Sequence, residues 1–389
     1  MIHWTEHGEE RSAPWRSESG TAAPRRVVLA DDTLAADTAY RLACAGTGLL
    51  WRGDFQNARH LLQALMRRAD KPPKAKGAKA GRKAQATATA GSAIPAQAFH
   101  LHRQAQAQRA RTLGMLLVPV QGDHTIALRR APDLREAFAE AWGPADGTAC
   151  VVSLREVLGL VGAHEWRKKG VEIPALGTEQ APRRIHPHYG VFSPVRGEYV
   201  DLVAQAPLPA NGLAFDIGTG TGVLAAVLAR RGVQRVVATD QDPRALACAR
   251  DNVQRLGLSA KVEVVQADLF PAGQAPLVVC NPPWLPGRAS SSIEHAVYDE
   301  DSRMLRGFLS GLAAHLSPGG EGWLILSDLA EHLGLRSREQ LLEWVAGAGL
   351  RVVDRHEVQP RHAKAADASD PLHAARSAER TSLWRLAAL

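Results

Sequence analysis

The chain has 389 residues, 45% of them hydrophobic and 5% aromatic, with 34 Gly and 23 Pro, too long for one small core and suited to two domains. Its net charge of +7 and pI near 9.5 point toward an acidic partner such as nucleic acid or a ribosomal particle, although many ordinary enzymes are this basic. Cys44, Cys150, Cys248 and Cys280 form no CxxC pair, which argues against a disulfide framework or metal cluster, and no apolar run suits secretion or membrane spanning, so a cytoplasmic setting is expected.

Residues 1–30 lack periodicity and read as a flexible lead-in. From Ala35 to Cys44 the pattern predicts a helix, with Asp32 and Thr33 available to cap it. Gly48 to Gly53 reads as a strand or a turn, and Phe55 to Arg68 as an amphipathic helix with Leu61, Leu62 and Leu65 on its apolar stripe. Between Arg67 and Lys83 stand eight Lys or Arg and one acid, Asp70. An Ala/Thr/Gln tract follows, and about 67–98 is expected to be a disordered insertion, either a solvated excursion or a phosphate-binding arm. Order is expected to resume near Leu113, with a β-hairpin formed by Met115–Val120 and Thr125–Leu128. Helices from Asp133 to Trp142 and from Ser153 to Lys169 follow.

Pro174 to Pro187 reads as a linker, which divides an N-terminal α+β domain at 31–175 from a second domain at 176–389. Beyond it strands and helices alternate. Strands are predicted at Leu213–Ile217, Arg235–Thr239, Val262–Gln266, Leu277–Cys280, Trp323–Ser327, Arg351–Asp354 and Ser382–Leu386. Helices are predicted at Gly222–Arg231, Pro243–Leu256, Met304–Leu316 and Arg338–Gly347. Apolar strands alternating with helices imply a mostly parallel sheet covered on both faces, with ligands at its carboxyl edge.

Asp216-Ile217-Gly218-Thr219-Gly220-Thr221-Gly222 joins the first of these strands to its helix. The three glycines allow a tight turn and close approach of backbone to a ligand. A dinucleotide fingerprint requires Gly at 223, where the chain has Val. The DxGxGxG loop instead resembles that of class I S-adenosylmethionine-dependent methyltransferases, as do Asp240 at the second strand end and Ala267-Asp268-Leu269-Phe270 after the third. The resemblance implies a Rossmann-like, seven-stranded sheet whose last strand is antiparallel, and S-adenosyl-L-methionine as cofactor. It also implies that Asp216, Gly218, Gly220, Gly222, Asp240, Asp268 and Leu269 hold that cofactor.

Asn281-Pro282-Pro283-Trp284 ends the fourth strand. Two prolines stop the strand and stiffen the turn, leaving a carboxamide and backbone carbonyls to accept hydrogens from one planar NH2 group beside an indole. The tetrapeptide resembles the (N/D)PP(Y/F/W) motif of enzymes that methylate planar nitrogen, the HemK/PrmC-like glutamine methyltransferases among them. Tyr189 to Tyr199 resembles the same family's cofactor-covering segment, with Phe192 and Pro194 as its aromatic-x-Pro. Tyr298 to Ser302 and Leu316 to Gly320 continue that family's order. The implied activity is N-methylation, with Asn281, Pro282, Pro283 and Trp284 catalytic and Leu285 to Asp301 a mobile loop over the acceptor. A translation-protein glutamine and an RNA or DNA base amine are the implied acceptors; a catalytically degenerate RNA-binding module is the reading from another class. Trp284 in place of the usual Tyr, and an N-terminal region unlike the family's short helical domain, are departures from the pattern.

Overall fold

The computed structural model describes residues 1–71, 95–289, 292–360, 367–368 and 370–389. The chain forms two compact units, 1–162 and 163–389. The second begins earlier than the expected 176, because the stretch read as a linker is folded into it. Val171–Glu172 pairs antiparallel with Arg184–Ile185, and Val171, Ile173, Leu176 and Ile185 are buried in that unit's core.

The first unit is built on a mixed five-stranded sheet. Its order is Trp15–Arg16, Cys150–Ser153, Leu116–Val120, Thr47–Trp51, Arg26–Ala30. Residues 1–30 are therefore no loose lead-in: Ile2–Glu6 and Glu9–Ala13 form a hairpin, and two further strands of this stretch enter the sheet. Ile2 is 1% exposed and packs with Leu50, Leu117 and Val151, with Trp4 and Trp15 against the same cluster. Scattered tryptophans in a polar sequence supply the anchorage that periodicity does not show.

The expected hairpin at 115–128 does not form. Leu116–Val120 is flanked on both sides, parallel by Thr47–Trp51 and antiparallel by Cys150–Ser153, so Thr125–Leu128 has no edge to join. The helix Ala36–Cys44 starts at Ala35 without a side-chain cap, since Asp32 is engaged elsewhere, accepting from the Asp54 backbone N–H at 3.0 Å. Asp54 in turn caps Phe55–Ala69 through the Gln56 N–H. The segment expected to be a disordered insertion is helical at both ends. Phe55–Ala69 runs into it and Pro95–Leu113 leaves it, the latter rich in helix-favouring Ala, Gln and Arg and buried at Phe99 and Leu113. Residues 72–94, most of the basic stretch, lie outside the described residues.

The second unit carries the seven-stranded α/β sheet. Its order is Val262–Gln266, Arg235–Asp240, Leu213–Ile217, Ala275–Cys280, Leu316–Ser327, Thr381–Ala388, Leu350–Val358. The first five run parallel, and the last strand in the chain inserts antiparallel to both its neighbours. Side chains alternate between the two faces: Ala214, Val236, Leu277 and Val279 join one core, Phe215, Val237 and Val278 the other. The helix Val223–Arg230 is apolar all round because it is buried all round, from Val223 to Ala229. Asp242 caps the next helix through the Arg244 N–H, with Pro243 at its first position. Among the described residues no helix is long and apolar enough to cross a membrane.

Ile2→Ala should destabilise the first unit by about 3 kcal/mol in urea unfolding. A cost near zero would mean that the N-terminal hairpin does not anchor the sheet.

Candidate active site at the carboxyl edge

Asp216 is the last-but-one residue of the strand Leu213–Ile217 and is 1% exposed. Its Oδ2 accepts from the Thr219 hydroxyl at 2.6 Å and from the Ala225 N–H at 3.0 Å, tying strand, glycine turn and helix together. Gly218, Gly220 and Gly222 all lie at positive φ, a region that β-carbons disfavour. At Gly218 a Cβ would also stand 2.6 Å from the Met304 methyl, whereas nothing lies within 4 Å of one at Gly220, so the space above that residue is open.

Asp240 closes the loop from the second strand. Its Oδ2 accepts from the Gly220 N–H at 3.0 Å and its Oδ1 from the Asp242 N–H at 3.0 Å. The Gly220 N–H thus serves the protein's own carboxylate, and the Thr219 and Gly222 N–H groups serve the Thr239 and Thr219 carbonyls, which makes the loop a poor cradle for a pyrophosphate. Burial pushes the Asp216 carboxyl up to about 6, against the lowering effect of its two hydrogen bonds, and the Asp240 charge adds to the rise. Burial likewise raises Asp240. Two carboxylates beside an open glycine turn, with no cationic side chain among their described hydrogen-bond partners, suit a cationic ligand.

The other expected cofactor residues are placed less closely. Asp268 is exposed, and no hydrogen bond to its side chain is found among the described residues. Leu269 stands at φ 70, strained for a leucine, with its carbonyl accepting from the Thr239 hydroxyl at 2.5 Å. Pro194 is buried and Phe192 half-buried in the segment that lies along the helix Pro243–Arg255. Val191 packs on Ala245 and Cys248 of that helix.

A residue the sequence reading passed over holds this segment. Asn252, 1% exposed, accepts from the His186 N–H at 2.7 Å and donates through Nδ2 to the His186 and Thr221 carbonyls. It joins the chain just ahead of the covering segment to the glycine loop. An amide in a helix that is otherwise buried through Ala, Leu, Cys and Val was the available signal.

Cys280 pairs in register with Ile217, so Asn281 and Gly218 leave the sheet side by side. Pro282 is buried, while Asn281, Pro283 and Trp284 are half-buried. The Trp284 Nε1–H donates to Asn281 Oδ1 at 2.8 Å, so the indole does more than offer a stacking face: it fixes which way the carboxamide points. The oxygen keeps a second lone pair. The following loop, expected to be mobile, is partly ordered, since Leu285–Pro286 pairs with Tyr298–Asp299. Asp299 caps the next helix through the Met304 and Leu305 N–H groups. Ser290 and Ser291 lie outside the described residues.

An open sheet in this order, with a DxGxGxG turn and a buried acid at its first strand end, defines the Rossmann-like class I methyltransferase fold. Residues 183–343 match the family described as the methyltransferase small domain. It is 50% identical over 73 residues to a ribosomal protein L11 methyltransferase of Pelotomaculum thermopropionicum, covering 18% of this chain and 24% of that one. It is 35% identical over 158 residues to a release factor glutamine methyltransferase of Moorella thermoacetica, covering 34% and 54%. It is 29% identical over 157 residues to a tRNA1(Val) (adenine(37)-N6)-methyltransferase of Bacteroides fragilis, covering 36% and 66%. The chain spans less than two thirds of the length of each of these relatives.

A carboxyl raised to about 6 is protonated below that pH and loses its attraction for a cation. In folding, its contribution is greatest below the unfolded carboxyl's range and is lost as pH rises through about 6; a bound cation offsets that loss. Calorimetric affinity for S-adenosylmethionine should therefore climb between about pH 5 and 7 and level off above. A flat profile would remove Asp216 from cofactor binding.

Proposed function

We propose that the chain is an S-adenosylmethionine-dependent N-methyltransferase acting on a planar amide or amino nitrogen, with a glutamine side chain of a translation or ribosomal protein as the leading acceptor. The observation that carries the reading is the Asn281 carboxamide, fixed by Trp284 at the strand end beside the glycine turn. A reducing, cytoplasmic setting belongs to the same proposal.

When bound, the cofactor supplies an electrophilic methyl group on a positively charged sulfur. The protein's part is to hold and orient. Asp216 and Asp240 shape the turn and set a negative field beside it. Asp240 would take the ribose hydroxyls, Asp268 and the Leu269 backbone would hold the base, and Phe192 and Pro194 would cover the cofactor. At the acceptor, the free lone pair of Asn281 Oδ1 and a backbone carbonyl of the Pro282-Pro283 turn receive the two hydrogens of an NH2 group. An amide nitrogen is a poor nucleophile because its lone pair is delocalised; holding both hydrogens aims that lone pair at the methyl carbon. The proton shed after transfer passes to solvent, so no tuned base is required.

The rival acceptor is a nucleobase amine. It is favoured by the basic stretch Arg67 to Lys83 and by similarity to a protein named as a tRNA adenine methyltransferase. An intact Asn281 motif argues against a degenerate RNA-binding module. Incubation with methyl-labelled cofactor and a cell lysate, followed by separate protease and ribonuclease digestion, tests the assignment. Label released by protease as methylglutamine supports it. Label in nucleotides supports the rival, and no transfer at all contradicts the N-methyltransferase reading.

Trp284→Phe removes the N–H that fixes the carboxamide while keeping the ring. Turnover should fall about tenfold with cofactor affinity unchanged, whereas Asn281→Ala should cost about a hundredfold. Single-turnover transfer of labelled methyl checks both, and equal turnover in Trp284→Phe and wild type would remove the positioning role.

A further inference from the structure

Arg336 follows the short helix Leu329–His332, which leaves the carboxyl end of the strand Leu316–Ser327. That is the edge on which Asn281 stands, because Cys280 pairs in register with Leu324. Leu329–His332 packs against Leu285–Pro286, the residues directly after Trp284. Arg336 thus follows an element on the acceptor edge of the sheet and feels the charge of Asp299 there. It is 3% exposed, yet its Nε and Nη2 atoms are fully buried and meet no hydrogen-bond acceptor among the described residues.

A guanidinium does not shed its proton, so burying one without acceptors costs several kcal/mol. The opposing charges that act on it, Glu331 and Asp299, do not hydrogen-bond the fork. Glu331 bonds Arg338 at 2.7 Å, and both Asp299 oxygens cap the helix Arg303–His315. The orphaned atoms are also the two that form the side-on fork of an arginine. Elsewhere in this chain that fork grips a carboxylate with both nitrogens: Arg52 on Glu6 at 2.9 and 2.7 Å, Arg109 on Asp70 at 2.7 and 3.1 Å, Arg385 on Glu321 at 2.8 and 2.7 Å. At Arg336 the fork is present and no carboxylate among the described residues meets it.

We propose that the Arg336 fork is a subsite for a carboxylate carried by the methyl acceptor, an acidic side chain or chain end of a protein substrate close to the methylated residue. Glu331 and Asp299 already act on the guanidinium, and their repulsion favours a singly charged carboxylate over a phosphate dianion. This deepens the protein-acceptor reading and rests on it, but its test does not use methyl transfer. A failure of either is therefore seen separately.

The test is thermal unfolding of the full chain and of Arg336→Met, which keeps the aliphatic stem, in chloride, acetate or phosphate at equal ionic strength. In chloride the variant should melt no lower than wild type, because an uncompensated charge has been removed. At about 100 mM, acetate should raise the wild-type midpoint by about 2–3 °C more than the variant's, and phosphate should give no such difference. On the wild type alone, one arginine Nε–H resonance should shift and saturate with acetate. An equal response to acetate in the two proteins would overturn the proposal. So would a larger difference in phosphate, or a variant that unfolds or melts well below wild type in chloride.

Discussion

The carboxyl edge of the sheet depends on one buried carboxylate. Asp216 draws in the Thr219 hydroxyl and the Ala225 N–H, and through them sets the path of the chain from strand to helix. Without those acceptors two donors would be buried unsatisfied, each at a cost of about 1–3 kcal/mol, in a segment whose backbone is already held at positive φ. The arrangement raises the carboxyl itself, since burial and the Asp240 charge both oppose ionisation. Asp216 is therefore structural and electrostatic at once: it closes the turn and leaves it in want of a positive charge.

The acceptor side is assembled by the same logic of occupied and unoccupied groups. Trp284 uses one lone pair of Asn281 Oδ1 and leaves the other. The turn leading into the helix Arg303–His315 places Asp301 and Ser302 at φ 55 and 53, a strained pair for residues with side chains, beside an Asp299 that caps the helix with both oxygens. Leu269 is strained likewise at the third strand end. Among the described residues of the second unit, the non-glycine residues at positive φ thus fall at turns on the carboxyl edge of the sheet.

Much of the second unit was legible in the sequence because its strands are short apolar runs between glycine, proline and aspartate turns. A strand buried on both faces leaves no other reading for Val278-Val279-Cys280. The site acids were legible by position, but their roles were not. That Asp240 holds the Gly220 N–H, that Asp268 stands exposed, and that the Trp284 indole bonds its own motif depend on side-chain directions a linear pattern does not carry. Asn252 and Arg336 escaped notice because a single polar residue next to a helix or within one reads as surface until its burial is known. The first unit was least legible: its strands at Trp15–Arg16 and Cys150–Ser153 are short, and pairing partners far apart in sequence decide which apolar runs become strands.

The glycine turn and its two acids, Asp216 and Asp240, together make the claim that S-adenosylmethionine is the ligand. Isothermal titration of the cofactor into wild type and Asp240→Ala tests it most directly. One site per chain, weakened at least about tenfold by the substitution, is predicted. No binding to wild type, or unchanged affinity in the variant, would contradict the account.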